Sequence, residues 1–467
     1  MKSPFKLKFE NLTNPPGIDC LKPRLSWIIE HAERNQQQYA YQILVSSIPD
    51  LVQQEIGDVW DSGKVTESRT YNICYAGTDL QRDTDYYWRV RWWDTSGEAS
   101  PYSEPAFFSI GLIDAGDWRA HWISKKDCTE FTSRGSEILG KNLEKYFHTH
   151  AIYLRKEFRL KAPVRRAVAY LCGLGFYEFR FNGEKVGNNV LDPAQTDYRK
   201  TALYSTYNVA DRLQDSNVIG IILGNGRFIR NYGYTQPKLI FQLHIEYESG
   251  EREIIISDED WKCSHGPLME NGIYYGERYD ARREFPGWDS PGFDGSGWQP
   301  AIRMETTPLR AQMMPPVRVT GHLPPQKIWS PEAGIYIVDF GQNFSGWARI
   351  KVRGTAGSEV RMRYAELVHE DGSLNPATNQ SAEATDTFIL KGDGCDIWEP
   401  KFTVHGFRYV EISGFPGVPN SDSIEGCVVH SDVKPIGKFT CSNELLNKIH
   451  RAIQWGQLSN LMSIPTD

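Results

Sequence analysis

The sequence contains no run of about 18 apolar residues, the minimum for a membrane-spanning helix. Its start, MKSPFKLKFENLTNPPG, carries a charge every few positions where a signal peptide would carry an apolar core. As written, the chain reads as cytoplasmic, or as periplasmic or secreted if a leader has been removed. Cysteine patterning is equally sparse: the eight cysteines stand at 20, 74, 128, 172, 263, 395, 427 and 441, with no CxxC pair, and the 11 histidines form no HExxH. Zinc fingers and zincin-type hydrolases are therefore excluded, and thiols this scattered in a large chain read as free and buried. There is no G-x-S-x-G for a serine nucleophile, and LGNGRF (223–228) lacks the further glycine or lysine that phosphate binding needs. A basic excess is missing too. Lys plus Arg number 52 against 59 Asp plus Glu, a net charge of −7 that argues against a nucleic-acid partner.

What the chain does have is length and rings. At roughly 150 residues per domain, 467 residues give about three domains, and 14 Trp, 23 Tyr and 21 Phe make it 12% aromatic. Flat rings fill pleated sheet surfaces and also stack on sugars. Period-two alternation dominates from residue 38 to 110, as in AYQILVSS (40–47) and TDYYWRVRWWDTSGEAS (84–100), where Tyr86, Trp88, Val90 and Trp92 share one face. It returns in YLRKEFRL (153–160), AVAYLCGLGFYEFRFNGEKVG (167–187) and FQLHIEYESGEREIIISDEDWKC (241–263), with Asn182-Gly183 and Ser249-Gly250 at hairpin-turn positions. PLRAQMMPPVRV (308–319) reads as a linker, after which alternation resumes through HGFRYVEISGF (405–415). Only near the end does the period become helical: Leu445, Leu446, Ile449 and Ile453 predict an amphipathic helix over 444–462 with Ser442 as N-cap. The class is all-β, with tandem β-sandwiches followed by one long helix.

Candidate chemistry is confined to a few places. Glu178 lies in the aromatic GFYEFRFNG, and Asn225 in a Gly-bounded loop; an acid and an amide there suit sugar hydroxyls or an oxygen-ligated calcium. The richest stretch, GIYYGERYDARREFPGWDS (272–290), offers Tyr275 and Trp288 to stack on a sugar, and Asp280 and Arg282 to orient its hydroxyls. The competing reading packs these rings into a sandwich and pairs Asp280 with an arginine. Strand acids such as Asp339, Glu366 and Asp386 read as solvated or salt-bridged.

Two resemblances sharpen this. LQRDTDYYWRVRWWD resembles the penultimate-strand region of fibronectin type III domains. More broadly, NPPGIDCLKPRLSW (14–27), DWRAHWIS (117–124), GFYEFRFNGEKVG (175–187), LDPAQTDYRK (191–200), YYGERYDAR (274–282), DFGQNFSGWARI (339–350), YAELVHEDGSLN (364–375) and HGFRYVEISGFPG (405–417) together resemble the bacterial α-L-rhamnosidases of glycoside hydrolase family 78. The resemblance implies a fibronectin type III-like sandwich at 1–115, a carbohydrate-binding-like sandwich at 116–307, a concanavalin-like sandwich at 308–435, and at 436–467 the first helix of a truncated six-hairpin α/α barrel. It implies removal of terminal α-L-rhamnose from glycosides or polysaccharides with inversion, by two carboxylates flanking a water. The family's acidic segment is expected beyond Asp467, so no residue of this chain is assigned a catalytic role, and the barrel becomes an intramolecular partner. No cofactor is required. Some relatives hold rhamnose through calcium, for which Glu178 and Asn225 are the candidate ligands. A stand-alone carbohydrate-binding or surface-adhesion protein is the alternative.

Overall fold

The computed structural model describes residues 1–126, 150–228 and 234–466, with the backbone of the short strands Thr132–Ser133 and Phe147–His148. Cys128 lies outside the described residues. The chain divides into two compact units, one of Met1–Arg119 with Tyr204–Asn208 and Leu309–Met313, the other of Ala120–Leu203, Val209–Pro308 and Met314–Asp467. The linker reading of 308–319 needs correction, because its ends are strands, Leu309–Ala311 and the start of Val317–Leu323.

In the first unit, Phe5–Phe9, Arg24–Ile28 and Ile73–Cys74 form one sheet, and Trp60–Asp61, Ala40–Ser46, Thr84–Trp93 and Ala106–Ile110 the other. The alternation of 84–93 does what its period requires: Tyr86, Trp88, Val90 and Trp92 are all buried. Phe9 from the first sheet stacks on Phe108 from the second at 3.7 Å, which closes the sandwich. The LQRDTDYYW motif acquires a physical reason here. Tyr86 Oη accepts the backbone N–H of Gln81 at 2.7 Å, tying the strand to the loop before it as a tyrosine corner does in immunoglobulin-type sandwiches.

The second unit holds the other two sandwiches. One sheet path runs from Tyr177–Phe181 through Ser216–Leu223, Ile152–Arg159, Lys262–His265, Gln299–Arg303, Ile123–Lys125 and Lys238–Tyr247 to Val164–Leu174. Its two ends face each other, with Phe179 edge-on to Phe241 at 5.6 Å. Asn182 and Gly183, both at positive φ, make the hairpin turn expected from the sequence.

The last sheet runs Leu268–Gly272, Gly276–Asp280, Thr385–Ile389, Glu359–Ala365, His405–Ser413, Ile335–Val352, Ile424–Ser431, Val317–Leu323. Ile335–Val352 is 18 residues long; it pairs with His405–Ser413 along its first half and Ile424–Ser431 along its second, with an irregularity between Asp339 and Phe344. Phe340, Phe344, Met362 and Phe407 fill the core at that bend. Gly276–Asp280 joins Thr385–Ile389 in parallel, so the richest stretch of the sequence enters this sheet through a long crossover.

The final helix spans Glu444–Ser459, and its N-cap is Asn443, whose side chain accepts from the N–H groups of Leu445 and Leu446; Ser442 is one residue too early to reach them. Leu461 and Met462, read as the helix's last turn, form a short strand instead. Leu445 (64% exposed) and Ile453 (62%) stay bare, while Trp455 packs against the third sandwich's core. Among the described residues every cysteine is free, and Cys172, Cys263 and Cys427 are buried.

Candidate functional site

Glu178 sits on Tyr177–Phe181 with its side chain buried. Three cations converge on it. Arg180, two residues on and so on the same face, reaches it at 3.1 Å; Lys185, delivered by the Asn182-Gly183 turn, lies at 3.9 Å. Lys401 arrives from the loop before His405–Ser413 and donates at 2.7 Å. Burial alone pushes the carboxyl up, but the charges of Lys401, Lys185 and Arg180 outweigh it and hold the group at about 2. Glu178 is thus a fixed carboxylate, an acceptor rather than an acid.

Around it lies a cleft of about 430 Å³ lined by Tyr153, Tyr279, Glu284, Trp288 and Lys401. A recess of about 260 Å³, walled by Lys185, Asn189 and Glu399, shares Glu178 and Lys401 with it. Of the candidates read from sequence, the structure brings Glu178 and Trp288 to one cleft. Trp288 offers little to a sugar, being 8% exposed, stacked on Trp298 and edge-on to Tyr153. Tyr275 is half-buried and its backbone carbonyl accepts from Thr385. Asp280 accepts from the backbone N–H of Arg282 and from the Nε and Nη2 of its guanidinium, capping the turn at 281–283, which is the packing alternative weighed for this stretch.

Asn225 is buried, with its backbone N–H donating to Asn271 Oδ1 at 2.7 Å and its side-chain amide to the Asn271 carbonyl at 2.8 Å. Glu178 and Asn225 therefore do not fit a calcium ion. Calcium takes six to eight oxygens, and a cation beside Glu178 would stand against Lys401, Lys185 and Arg180.

Sequence reasoning missed a second buried network. Glu277 Oε1 accepts the Phe402 N–H at 2.5 Å, and the Glu277 N–H donates to Asp386 Oδ1 at 2.9 Å. Asp386 Oδ2 meets His405 Nε2 at 3.1 Å, and His405 stacks on Tyr364 at 4.1 Å. Burial first, then the charge of Asp386, raises the Glu277 carboxyl to about 8, so it is protonated at neutral pH. Gly276 permits the approach: at φ +110°, a Cβ there would lie 2.0 Å from the Thr385 carbonyl oxygen. His405 also borders a wider cleft, about 760 Å³, between Asn343 and Glu366 of the sandwich and Lys448, Arg451 and Trp455 of the helix.

Tandem β-sandwiches with polar clefts walled partly by packed rings define a modular all-β protein. Comparison with known proteins narrows that class. Family models match in order: the Rha78A-like N-terminal immunoglobulin domain at residues 4–114, the α-L-rhamnosidase N-terminal domain at 162–321, the bacterial α-L-rhamnosidase concanavalin-like domain at 330–430, and the six-hairpin glycosidase domain of the same family at 434–467. An α-L-rhamnosidase of Formosa agariphila is 37% identical over 97% of this chain and 50% of its own length. A solved α-L-rhamnosidase from Dictyoglumus thermophilum is 49% identical with a TM-score of 0.96, covering 100% of this chain and 53% of that one. The Streptomyces avermitilis α-L-rhamnosidase complexed with L-rhamnose is 30% identical with a TM-score of 0.94, covering 100% of this chain and 61% of that one. The chain belongs to the bacterial α-L-rhamnosidases of glycoside hydrolase family 78, as their N-terminal sandwich region. It spans about half the length of the curated relatives it matches.

Proposed function

We propose that this chain is the sandwich portion of an α-L-rhamnosidase that removes terminal α-L-rhamnose from glycosides or polysaccharides, and that the reacting carboxylates are supplied by residues outside positions 1–467. The observation that carries this reading is the ordered match of rhamnosidase domain models, reaching the six-hairpin glycosidase domain over the helix Glu444–Ser459. The state of the acids supports it. An inverting glycosidase needs one carboxyl that keeps its proton near the scissile oxygen and a second that is free to activate water. Glu178, Asp280 and Asp339 are each held by arginine or lysine partners. Glu277 keeps its proton but is buried. The bare apolar face at Leu445, Ile449 and Ile453 supplies contact area for the six-hairpin domain.

Among the described residues no helix is long and apolar enough to cross a membrane. The test is an assay with a chromogenic α-L-rhamnoside on residues 1–467 alone. Background release of the chromophore is expected, and robust turnover would place the catalytic carboxylates within this chain and overturn the proposal.

A further inference from the structure

One further cluster of donor side chains adjoins the smaller recess, whose wall includes its neighbour Glu399. His322, on Val317–Leu323, is the direct cross-strand partner of Cys427 on Ile424–Ser431. Glu425 precedes Cys427 by two residues and so shares its face. His322 Nδ1 stands 3.5 Å from Glu425 Oε2 and 3.7 Å from Cys427 Sγ, and the three donor atoms all lie within 4.8 Å of one another. Glu399 Oε2, from the neighbouring strand end, stands 3.5 Å from Cys427 Sγ but outside that group of three, so it neighbours the thiol and is not a further ligand.

These separations have a specific meaning. Zinc binds nitrogen and oxygen at about 2.0–2.2 Å and sulfur at about 2.3 Å, and in a tetrahedron the ligand atoms are then about 3.3–3.8 Å apart. The two separations from His322 fall in that range, and an imidazole, a thiol and a carboxylate form a donor set zinc accepts, with the fourth position left to water. The surroundings orient the donors. Arg349 grips Glu399 Oε1 at 2.9 Å and Glu425 Oε1 at 2.8 Å, leaving the Oε2 atom of each carboxylate on the side of the thiol and imidazole; the Trp347 indole donates to Glu399 Oε2 at 2.8 Å and fixes that rotamer. Outer partners of this kind position metal ligands. Charge agrees as well, since two carboxylates face one guanidinium. Access is open on one side only: the His322 side chain is 46% exposed, while Cys427 is buried.

We propose that His322, Glu425 and Cys427 form a three-ligand binding site, with a fourth position open to water, for one divalent transition-metal ion of the zinc type, seated on the third sandwich. On binding, the Cys427 thiol gives its proton to solvent and the sulfur becomes a thiolate ligand. The ion would clamp Val317–Leu323 to Ile424–Ser431, a structural role independent of glycoside cleavage.

The experiment uses residues 1–467 stripped with a chelator and titrated with cobalt(II) as the optical probe and zinc as competitor. One equivalent of cobalt is expected to bring intense tetrahedral ligand-field bands and a thiolate-to-cobalt charge-transfer band, both bleached by zinc. Cys427→Ser should abolish the charge-transfer band. His322→Ala, at a half-exposed position where folding is not at risk, should weaken zinc at least tenfold, and Cys74→Ser, at an exposed thiol, should change nothing. A protein without the charge-transfer band, or a His322→Ala variant that binds zinc like the parent, would show the cluster to be an ion-pair network only and overturn the proposal.

Discussion

Two buried glutamates in the second unit carry opposite charge states, though both are anchored by residues at 401–402. Glu178 faces Lys401, Lys185 and Arg180 and is held ionised, at about 2. Glu277 accepts the backbone N–H of Phe402, lies beside the Asp386 carboxylate and keeps its proton to about 8. Burial acts on both in the same direction, raising the carboxyl. The difference is the charge that stands nearby, three cations in one case and a like charge in the other. Burial alone does not tell an acid from an anion.

The largest effect that would break this contrast comes from Glu178→Gln. Removing the anion takes its carboxylate from Lys401 and Lys185, each about one-third exposed, while Arg180 keeps Asp289; breaking a fully buried pair costs about 3–5 kcal/mol, which sets the upper limit, so the urea midpoint should fall. A variant as stable as the parent would mean that Glu178 is not held as a carboxylate.

The pH dependence is a finer test. Glu178 titrates lower in the folded state than its ordinary value of 4.5, so its stabilisation is present above pH 4.5 and is lost as pH falls toward about 2. Glu277 titrates higher than 4.5, so the unfolded chain releases that proton first, and stability from this group declines as pH rises from 4.5 to about 8. Glu277→Gln should match the parent near pH 4.5 and exceed it at pH 7 by on the order of 3 kcal/mol, since the amide has no proton to lose. Denaturation curves at both pH values give the answer, and an unchanged slope against pH would put the proton elsewhere.

The smallest effects concern the sites that the structure closes. Asp280→Asn should leave the melting midpoint within error, because Arg282 is half exposed and the pair is local. Calcium up to millimolar levels should give no heat on titration, with or without rhamnose, and no shift in melting. A saturable heat that Glu178→Gln removes would instead show that calcium displaces the lysines.

Much of the architecture was legible from particular residues. Tyr86, Trp88, Val90 and Trp92 alternate because a sheet buries every second side chain, and they are buried. Asn182-Gly183 turns because both positions take positive φ. The helix was visible in Leu445, Leu446, Ile449 and Ile453, but its cap was displaced by one residue, since Ser442 and Asn443 are both good caps and only the backbone path decides between them. The candidate site was less readable. Glu178 stood out for its aromatic setting, whereas Lys401 is 223 residues away and carries no local mark of its role. Glu277 lay inside the singled-out stretch, yet nothing in YYGERYDAR shows that a parallel strand at 385–389 will place Asp386 beside it.

The sequence by itself therefore determined the class of fold, the strands and their faces, because side-chain period and turn chemistry are local properties of the chain; the family came from the resemblance of its motifs. Tertiary structure decided which faces meet, and with that the chemistry. It made Glu178 an anion and Glu277 an acid, turned Trp288 into core packing, and brought His322, Glu399, Glu425 and Cys427 together. The physical reason is that an ionisable group answers to charges within a few ångströms, and the pairing of strands far apart in the chain decides which charges those are.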